Sequence, residues 1–429
     1  MKQNRIAFSH PEIIIPRFPA YRTGWLPTKK NKRMKNENAN VLVINGGSSS
    51  VKFALYSMNE NPNKIFSGQI KRIGLSGPEF TVINNTQKKN ELIIDATNFK
   101  EAAEVLIEWL KKQKEFEQTI CIGHRIVHGM KHTQAQIIDE DLLNELDQIS
   151  DFDPDHLPAE LEIVRLFQKL FPSLMQVACF DTAFHTTIPV VAKTFAIPKS
   201  YYDEGIQRYG FHGISYSYLM QELRKQNATE SNGKIILAHL GYGASLAAVK
   251  AGRCIDTSMG FTPAGGIPMS TRSGDLDPGV AWYLMQKGMD ARQFNDLINH
   301  QSGFLGISGI SSDMQDLLQH EKENKDAALA IDIFCYQVKK YIGGYAAALG
   351  GLDILVFSGG IGENAPAIRE RLCNDLGYLN IHLNKEKNDK NQWQISNEEN
   401  NVKVFVIPTN EELMIAKTTG EIYEKSIKN

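Results

Sequence analysis

The chain has 429 residues, 42% of them hydrophobic, and its formal net charge at pH 7 is −2. This length predicts two or three domains with sizeable cores, and the balanced charge gives no bias towards nucleic acid. Five scattered cysteines without CxxC spacing predict free thiols in a reducing, cytoplasmic location, and they argue against a disulfide framework or a zinc site. No apolar run approaches the ~18 residues of a membrane helix, so we expect no membrane association.

The N-terminal segment differs from the rest of the chain in charge and pattern. Residues 1–40 carry nine Lys or Arg against two Glu, and the segment contains four prolines without apolar periodicity. We therefore interpret residues 1–39 as a disordered basic extension, with a targeting or docking arm as the alternative. Met34 lies just before the first predicted strand and is a second candidate for the start of the protein.

The stretch "VLVINGGSSSVKFALY" (41–56) predicts a buried strand, a Gly/Ser turn and a second, alternating strand. A glycine-rich turn that cradles phosphate usually opens a helix, whereas this one opens a strand. Further on, residues 119–129 and 175–185 predict strands that end in polar clusters, and residues 98–113 and 141–149 have helical spacing.

Two other glycine turns follow predicted strands. Residues 234–256 read as strand, glycine turn and strand, and an offset of 195 places Gly46 on Gly241 and Ser50 on Ser245. This correspondence predicts an internal duplication. Residues 352–372 read as strand, glycine turn and helix, with Pro366 near the helix start. Any one such turn closes many ordinary hairpins, but the three together predict a polyphosphate site, because their backbone N–H groups form anion-binding nests.

Nine motifs in order carry a resemblance to a known family: "NGGSSSVKF", "GHRIVHG", "FDTAFH", "RYGFHG", "HLGYGAS", "DTSMGFTP", "TRSGDLDPG", "SGGIGEN" and "IPTNEEL". From about residue 40 to 425 the chain resembles the acetate/propionate kinase family, within the superfamily of acetate and sugar kinases, Hsp70 and actin. The resemblance implies an α/β fold of two duplicated actin-like (ribonuclease H-like) domains with a catalytic cleft between them. The first domain would comprise residues 40–185 plus 413–429, and the nucleotide-binding second domain residues 186–412.

The resemblance also implies roles for single residues. Phosphoryl transfer requires in-line alignment and positive charge around the migrating group. The matching catalytic residues are Asp181, His212 and Arg272. Asp181 would act electrostatically, because acetate is already ionised at neutral pH. The matching substrate-binding residues are Arg125 for the carboxylate, His156, and an apolar pocket of Val127, Phe211 and Pro263.

Nucleotide and metal sites follow in the same way. The residues that match nucleotide-binding positions are Lys52, His239, Leu240, Gly241, Tyr242, Gly243, Asp313, Met314, Gln315, Gly359, Gly360, Ile361, Gly362, Glu363 and Asn364. An exposed strand lysine is the alternative reading of Lys52. Asn45 and Glu411 match the residues that hold Mg²⁺ or Mn²⁺, and Glu412 is an open alternative as the neighbour of Glu411.

Four residues depart from the pattern of the family. Tyr242 and Gln315 replace an asparagine and an arginine in the nucleotide segments. Tyr216 replaces the second histidine of the usual "FHGTSH", and Asp155 replaces an apolar residue expected beside the substrate methyl group. These departures bear on the acyl substrate and on the affinity for the phosphate donor more than on the type of reaction.

The resemblance implies reversible transfer of the ATP γ-phosphoryl group to acetate, giving acetyl phosphate and ADP in a cytoplasmic homodimer. Propionate or another short-chain carboxylate is the alternative acceptor. A non-catalytic, nucleotide-binding scaffold of the actin/Hsp70 type is a second alternative, but it would need no carboxylate chemistry. A sugar kinase is a third alternative, and it would need an acidic base aimed at a hydroxyl.

Overall fold

The structure is a computed structural model, and it describes residues 39–47, 49–59, 61–84, 89–226 and 229–428, except for the side chain of Asp151. The interpretation of residues 1–39 as a basic extension therefore lies outside the described residues, apart from Ala39. The possible start at Met34 lies outside them as well.

The first part of the described chain forms one mixed sheet. Its strands are β1 (Asn40–Gly46), β2 (Ser50–Ser57), β3 (Lys64–Lys71), β4 (Glu79–Asn84), β5 (Lys89–Ile93), β6 (Thr119–Ile126), β7 (Gln136–Ile137) and β8 (Met175–Phe180). They pair in the order β5-β4-β3-β2-β1-β6-β8-β7, and β6 runs parallel to both β1 and β8. The strands predicted around the first glycine turn and before the two polar clusters are confirmed as β1, β2, β6 and β8.

The later part of the chain forms a second sheet. Its strands are β9 (Lys234–Leu240), β10 (Ala244–Lys250), β11 (Arg253–Thr257), β12 (Ile354–Ser358) and β13 (Lys403–Val406). They pair in the order β11-β10-β9-β12-β13, and β12 runs parallel to both β9 and β13. The order β3-β2-β1-β6-β8 of the first sheet has the same pattern of an antiparallel meander followed by parallel strands, which agrees with an internal duplication.

The fixed offset of 195 residues between the two hairpins does not hold across their turns. Gly46 pairs with Val51, so this offset would pair Gly241 with Leu246. Leu246 instead pairs with Ala238. The two hairpins thus share strand order but differ in turn geometry, and a comparison of letters could not detect the difference in register.

Helices cover both sheets. Their bounds are α1 (Phe99–Leu110), α2 (Glu140–Gln148), α3 (Leu157–Leu170), α4 (Val190–Lys193), α5 (Lys199–Asp203), α6 (Gly213–Gln226), α7 (Pro278–Gln286), α8 (Ala291–His300), α9 (Gly303–Ser308), α10 (Met314–His320), α11 (Lys325–Leu349), α12 (Gly359–Asn364), α13 (Pro366–Cys373), α14 (Lys385–Asp389) and α15 (Glu411–Ser426). The predicted helices at 98–113 and 141–149 are confirmed as α1 and α2. The third glycine segment is itself the short helix α12, and Pro366 begins α13 as predicted.

The central strands of both sheets are buried on their two faces, as their continuous apolar sequences require, whereas β5 at the edge of the first sheet is exposed. In the first sheet, Leu42 and Ile44 pack with α1 and α3, while Val41 and Val43 pack with Ile415 of α15. In the second sheet, alternate residues of β9 pack towards α6 on one face and towards α11 on the other. Residues of both sheets, including Ile126 and Ile236, belong to one apolar cluster.

The fold also bears on the expected state of the cysteines and on the expected absence of a membrane helix. All five cysteines are buried and free, so the prediction of free thiols is confirmed. Within the described part of the chain, no helix is long and apolar enough to cross a membrane.

Candidate active site

Arg125 lies at the carboxyl end of β6, where the ends of the parallel strands β1 and β8 also meet. Its Nη1 donates to the carbonyl oxygen of Gly46 at 3.0 Å and to Oε1 of Glu160 at 2.9 Å. Its Nη2 donates to Oδ2 of Asp181 at 3.1 Å. Burial alone would lower the pKa of Arg125, but the carboxylate of Asp181, together with that of Glu160 when it is ionised, raises it above its ordinary value. The arginine is therefore a fixed positive charge at the edge of the sheet.

Asp181 follows β8 directly and is almost fully buried. Its Oδ2 accepts the backbone N–H of His212 at 3.0 Å, and its Oδ1 accepts that of Ile214 at 3.2 Å. A Cβ atom on Gly213 would lie 2.3 Å from the carbonyl oxygen of Asp181, so only glycine fits between them. His212 itself has a φ of 59°, a left-handed conformation that is uncommon outside glycine. Asp181 therefore holds the strained "FHG" turn beside Arg125.

His212 and His239 stack on each other, with ring centroids 4.3 Å apart. The Nδ1 atom of His212 lies 2.9 Å from Oγ of Ser245, and Nδ1 of His239 lies 2.8 Å from Oγ of Ser215. Burial lowers the pKa of His239 to about 4. Burial, followed by the neighbouring His239 and the arginines 125 and 272, lowers the pKa of His212 well below its ordinary value. Both imidazoles are therefore neutral at pH 7.

Arg272 lies in the loop before α7, and its Nη1 approaches the carbonyl oxygen of Pro263 at 3.5 Å. The pKa of Arg272 is lowered, because burial and the nearby charge of Arg125 outweigh the carboxylates of Asp153 and Asp155. A Cβ atom on Gly243 would lie 3.1 Å from Nε2 of His212 and 3.6 Å from Nη1 of Arg272. The glycine turn between β9 and β10 thus lies against two of the three predicted catalytic residues.

The two glycine segments predicted to bind nucleotide also lie together. Gly359 has a φ of 76°, and a Cβ atom there would lie 2.7 Å from the carbonyl oxygen of Leu240. A Cβ atom on Gly241 would lie 3.7 Å from the backbone nitrogen of Gly360. Only glycine at 359 allows α12 to approach the end of β9 so closely.

Several predicted nucleotide residues make contacts within the protein. Oε1 of Glu363 accepts the backbone N–H groups of Gly359 at 2.9 Å and Thr409 at 3.1 Å. Asn364 donates from Nδ2 to the carbonyl oxygen of Gly360 at 3.0 Å, and Ile361 is partly buried. The carboxylate of Asp313 caps α10 by accepting the N–H of Gln315 at 2.7 Å, next to the buried Met314. These contacts fix the segments, and the predicted roles towards nucleotide stay predictions.

Tyr242 occupies the tip of the turn between β9 and β10. Its side chain is 65% exposed, while its carbonyl oxygen accepts the N–H of Ser270 at 3.3 Å. The turn is therefore anchored through its backbone, and the aromatic ring is exposed.

Asn45 and Glu411, from distant parts of the sequence, meet as predicted. Nδ2 of Asn45 donates to Oε2 of Glu411 at 3.1 Å and to Oε1 of Glu412 at 3.4 Å. Burial raises the pKa of Glu411, and the charges of Asp181 and Glu412 raise it further. Lys52 is exposed and pairs with Asn45 in the register of β1 and β2. A cation at this place would stabilise the ionised carboxylates.

Among the described residues, no cluster of three or more His, Cys, Asp or Glu could hold a metal ion. The donor set of Asn45, Glu411 and Glu412 instead suits Mg²⁺ bound through one or two carboxylates, with water and substrate phosphates as the other ligands.

The sequence reasoning missed Glu160. Its Oε2 accepts the N–H of Val127 at 2.8 Å, opposite the contact of Oε1 with Arg125. Burial raises the pKa of Glu160 to about 8, with the charges of Asp153 and Asp181 acting in the same direction and Arg125 in the opposite one. A detectable signal existed, because Glu160 lies on the apolar face of α3, one residue before the buried Leu161.

The segment before α3 contains two contacts between a carboxylate and a histidine. Nδ1 of His156 lies 2.8 Å from Oδ1 of Asp153. Burial alone would raise the pKa of Asp153, but the hydrogen bond and charge of His156, with the charges of Arg272 and Arg125, lower it. Oδ2 of Asp155 lies 3.3 Å from Nε2 of His300. Asp155 is therefore a partner of a residue on α8, a contact that its sequence position could not reveal. The predicted pocket residues Val127, Phe211 and Pro263 are all buried.

Arg369 was missed as well, and it is fully buried. It donates from Nη1 to the carbonyl oxygens of Gly362 at 2.9 Å and Glu363 at 3.0 Å, and from Nε to Oδ1 of Asn388 at 2.8 Å. These bonds hold the end of α12. Nothing in the spacing of the sequence indicated them.

This combination of paired α/β sheets, apposed glycine segments and converging charges is typical of proteins that bind phosphorylated ligands. Residues 40–417 match the model of the Acetokinase family. The acetate kinase of Thermoanaerobacter pseudethanolicus is 43% identical over 397 residues, which cover 89% of this chain and 98% of that protein. The acetate kinase of Halothermothrix orenii is 39% identical over 396 residues, which cover 90% and 99%.

Solved structures give the same result. The acetate kinase of Porphyromonas gingivalis is 38% identical in sequence and superposes with a TM-score of 0.81. The match covers 90% of this chain and 100% of that chain. A propionate kinase from Francisella tularensis is 37% identical, with a TM-score of 0.84 and the same coverage. The chain belongs to the Acetokinase family. The predicted family and the actin-like α/β fold class are thus confirmed.

Proposed function

We propose that the protein transfers the γ-phosphoryl group of ATP reversibly to acetate, forming acetyl phosphate and ADP. The observation that carries this proposal is the convergence of Arg125, Asp181, His212 and Arg272 beside the glycine turn at Gly243. A scaffold that only bound nucleotide would need the glycine segments but no buried arginine beside them. Membership of the Acetokinase family supports the same reaction.

In this proposal, Arg125 binds the carboxylate of the substrate. Three of its N–H hydrogens are committed to Gly46, Glu160 and Asp181. Guanidinium has five N–H hydrogens, so two stay available in the described structure for an incoming carboxylate. The internal partners fix the plane of the guanidinium before substrate binds, which reduces the ordering cost of binding.

Arg272 and His212 then stabilise the migrating phosphoryl group. Both lie next to Gly243, where the phosphates of the nucleotide would be held by backbone N–H groups. Arg272 supplies positive charge, and the neutral His212 supplies a hydrogen bond. In this proposal Asp181 acts by position, because it holds Arg125 and the N–H of His212 in place.

We propose Asn45 and Glu411, with Glu412 adjacent, as the residues that hold Mg²⁺ or Mn²⁺ together with the nucleotide. When bound, the metal ion neutralises charge on the phosphate oxygens. The raised pKa of Glu411 supports this, because a nearby cation would compensate the repulsion among Glu411, Glu412 and Asp181.

Acetate is the proposed acceptor, with propionate as the alternative. Val127, Phe211 and Pro263 are small or rigid apolar residues that would surround a methyl group. The name of the Francisella tularensis relative supports the propionate alternative only weakly, because the curated relatives reported above are acetate kinases. The test is the ratio of kcat/KM for acetate, propionate and butyrate with ATP and Mg²⁺: a value highest for acetate supports the proposal.

The proposal extends to the domain bounds and the cellular location of the protein. We place the first domain at residues 40–185 plus 413–429, because α15 packs on the first sheet, and the nucleotide-binding domain at 186–412. We place the enzyme in the cytoplasm, on the basis of its five free thiols.

We also propose a homodimer that docks through α7. None of the residues of α7 is buried. Four apolar side chains of the helix are exposed, and so is that of Leu276 just before it; the four are Val280, Trp282, Tyr283 and Met285. Several exposed apolar side chains on one short segment favour an interface there. The molar mass of the full chain in solution tests this part: the mass of two chains supports it, and that of one chain contradicts it.

A further inference from the structure

Tyr216 and Ser245 form a chain of hydroxyl groups that ends on His212. The Oη atom of Tyr216 lies 2.6 Å from Oγ of Ser245, which lies 2.9 Å from Nδ1 of His212. Both the tyrosine and the serine are fully buried, with no exposed fraction. Inside the protein, the directions of these hydrogen bonds depend on which protons each group can donate.

Each hydroxyl has a single proton to donate. If Ser245 donated to Tyr216, the phenolic O–H would have no acceptor among the described side chains, and an unused buried donor is costly. If Ser245 instead accepted from both Tyr216 and a protonated Nδ1 of His212, the proton of Ser245 would have no acceptor among the contacts of the described residues. The arrangement that uses every proton has Tyr216 donating to Ser245 and Ser245 donating to Nδ1 of His212. Nδ1 is then an acceptor, and the imidazole proton of a neutral His212 lies on Nε2.

The free edge of His212 faces the proposed phosphate site. Its Nε2 atom lies 3.1 Å from the position that a Cβ of Gly243 would occupy. A proton on Nε2 would therefore be available to an oxygen of the migrating phosphoryl group, whereas a proton on Nδ1 would present a lone pair and repel that oxygen.

We propose that Tyr216 is a positioning residue that, through Ser245, fixes His212 in the tautomer with its proton on Nε2. Tyr216 acts only through Ser245 and does not touch the substrate. The catalytic consequence of this relay rests on the proposed function, but the tautomer of His212 does not.

A second relay shows that the arrangement is specific to each histidine. Thr409 and Ser215 have their hydroxyl oxygens 2.8 Å apart, and Ser215 lies 2.8 Å from Nδ1 of His239. His239 therefore has its own hydroxyl partners, and removal of the Tyr216 hydroxyl leaves them in place. The hydroxyl of Tyr216 also contacts the backbone of His239. The His239 resonances in the same spectra therefore serve as the control that a change is confined to the tautomer of His212.

The experiment compares Tyr216→Phe and Ser245→Ala with Tyr218→Phe, which removes a hydroxyl from the same helix. Selective ¹⁵N labelling of histidine, with His212 assigned from the spectrum of His212→Asn, measures the tautomer. We expect the parent and Tyr218→Phe to show His212 with its proton on Nε2. We expect Tyr216→Phe and Ser245→Ala to show a mixture, with kcat reduced about tenfold and the KM values for ATP and acetate within twofold.

Three results would overturn the proposal. The first is an Nε2–H tautomer of His212 that is retained in both relay variants. The second is a loss of kcat without a change of tautomer, which would show a merely structural role. The third is a kcat within twofold of the parent despite a mixed tautomer. If the parent phosphorylates no carboxylate, the proposed function fails on its own, and the spectra still test the relay.

Discussion

Oδ2 of Asp181 accepts two hydrogen bonds at once, from Nη2 of Arg125 at 3.1 Å and from the backbone N–H of His212 at 3.0 Å. A single buried carboxylate oxygen therefore fixes the proposed substrate-binding arginine relative to the proposed phosphoryl-binding histidine. This links the carboxyl end of β6 to the turn before α6. The charge of Asp181 is compensated by these donors, which explains how a carboxylate is tolerated at a buried strand end.

Arg272 supplies the charge that we assign to the transition state. Arg272→Ala should therefore reduce kcat by roughly a hundredfold or more, equivalent to about 3 kcal/mol of transition-state stabilisation. Steady-state kinetics with saturating ATP and acetate measure this change. Arg292→Ala removes an exposed arginine of α8 and should leave kcat unchanged. An Arg272→Ala enzyme within threefold of the parent would exclude Arg272 from the mechanism.

Glu160 should make acetate binding depend on pH. Burial raises its pKa to about 8, so the side chain loses its proton as the pH rises through that value. The new negative charge beside Arg125 opposes an incoming carboxylate, and the KM for acetate should rise several-fold between pH 7 and 9. Glu160→Gln carries no charge at either pH and should flatten the profile, while Glu162→Gln, an exposed change on α3, should keep it. The same rise in Glu160→Gln as in the parent would show that another group is responsible.

His124 should contribute to instability in acid. Burial lowers its pKa from 6.5 to about 4, so the unfolded chain binds a proton that the folded protein rejects. Its contribution to stability is therefore complete above pH 6.5 and is lost as the pH falls towards 4. Between pH 7.5 and 5, the loss should amount to about 2 kcal/mol.

The measurement is the free energy of unfolding in urea at both pH values, for the parent and for His124→Leu. The difference between the two proteins isolates His124, and it should become smaller by that amount at pH 5. His320→Leu, which removes a histidine at an exposed position, is the matched control. A difference that is constant for His124→Leu would contradict the assignment.

Tyr242→Asn should be well tolerated, because the ring is exposed and the turn is anchored by the carbonyl oxygen of residue 242. We expect a change in the KM for ATP with little change in kcat, since a contact at the turn would be equal in the ground and transition states. Steady-state kinetics against ATP at saturating acetate provide the measurement. An unchanged KM with a strongly reduced kcat would place Tyr242 among the catalytic residues.

Local patterns of the sequence predicted the strands around the glycine turns, because apolar β-branched runs and glycine clusters act over a few residues. The meeting of Asn45 with Glu411 followed only from the family resemblance, since the two lie far apart in the chain. Glu160 was missed because a charged residue on a helix is normally solvated, and its burial depends on the position of Arg125. Arg369 was missed for a related reason: its partners are mostly backbone carbonyl oxygens, which carry no sequence signal.

The register of the two hairpins illustrates the same limit. Gly46 and Gly241 align as letters, but pairing across each turn is decided by turn length and by the faces that must be buried. The proposed tautomer of His212 could not be predicted from the sequence either, because it depends on which protons are available along a chain of three hydrogen-bonded side chains.

The most direct test of the central claim is ³¹P NMR of a single reaction with ATP, Mg²⁺ and acetate. The account predicts an acetyl phosphate resonance that grows in equal amount with ADP, disappears on addition of hydroxylamine, and forms roughly a hundredfold more slowly, or slower still, with Arg272→Ala. Formation of ADP with inorganic phosphate alone, whether or not acetate is present, would contradict the account, because it would show nucleotide hydrolysis without a carboxylate acceptor.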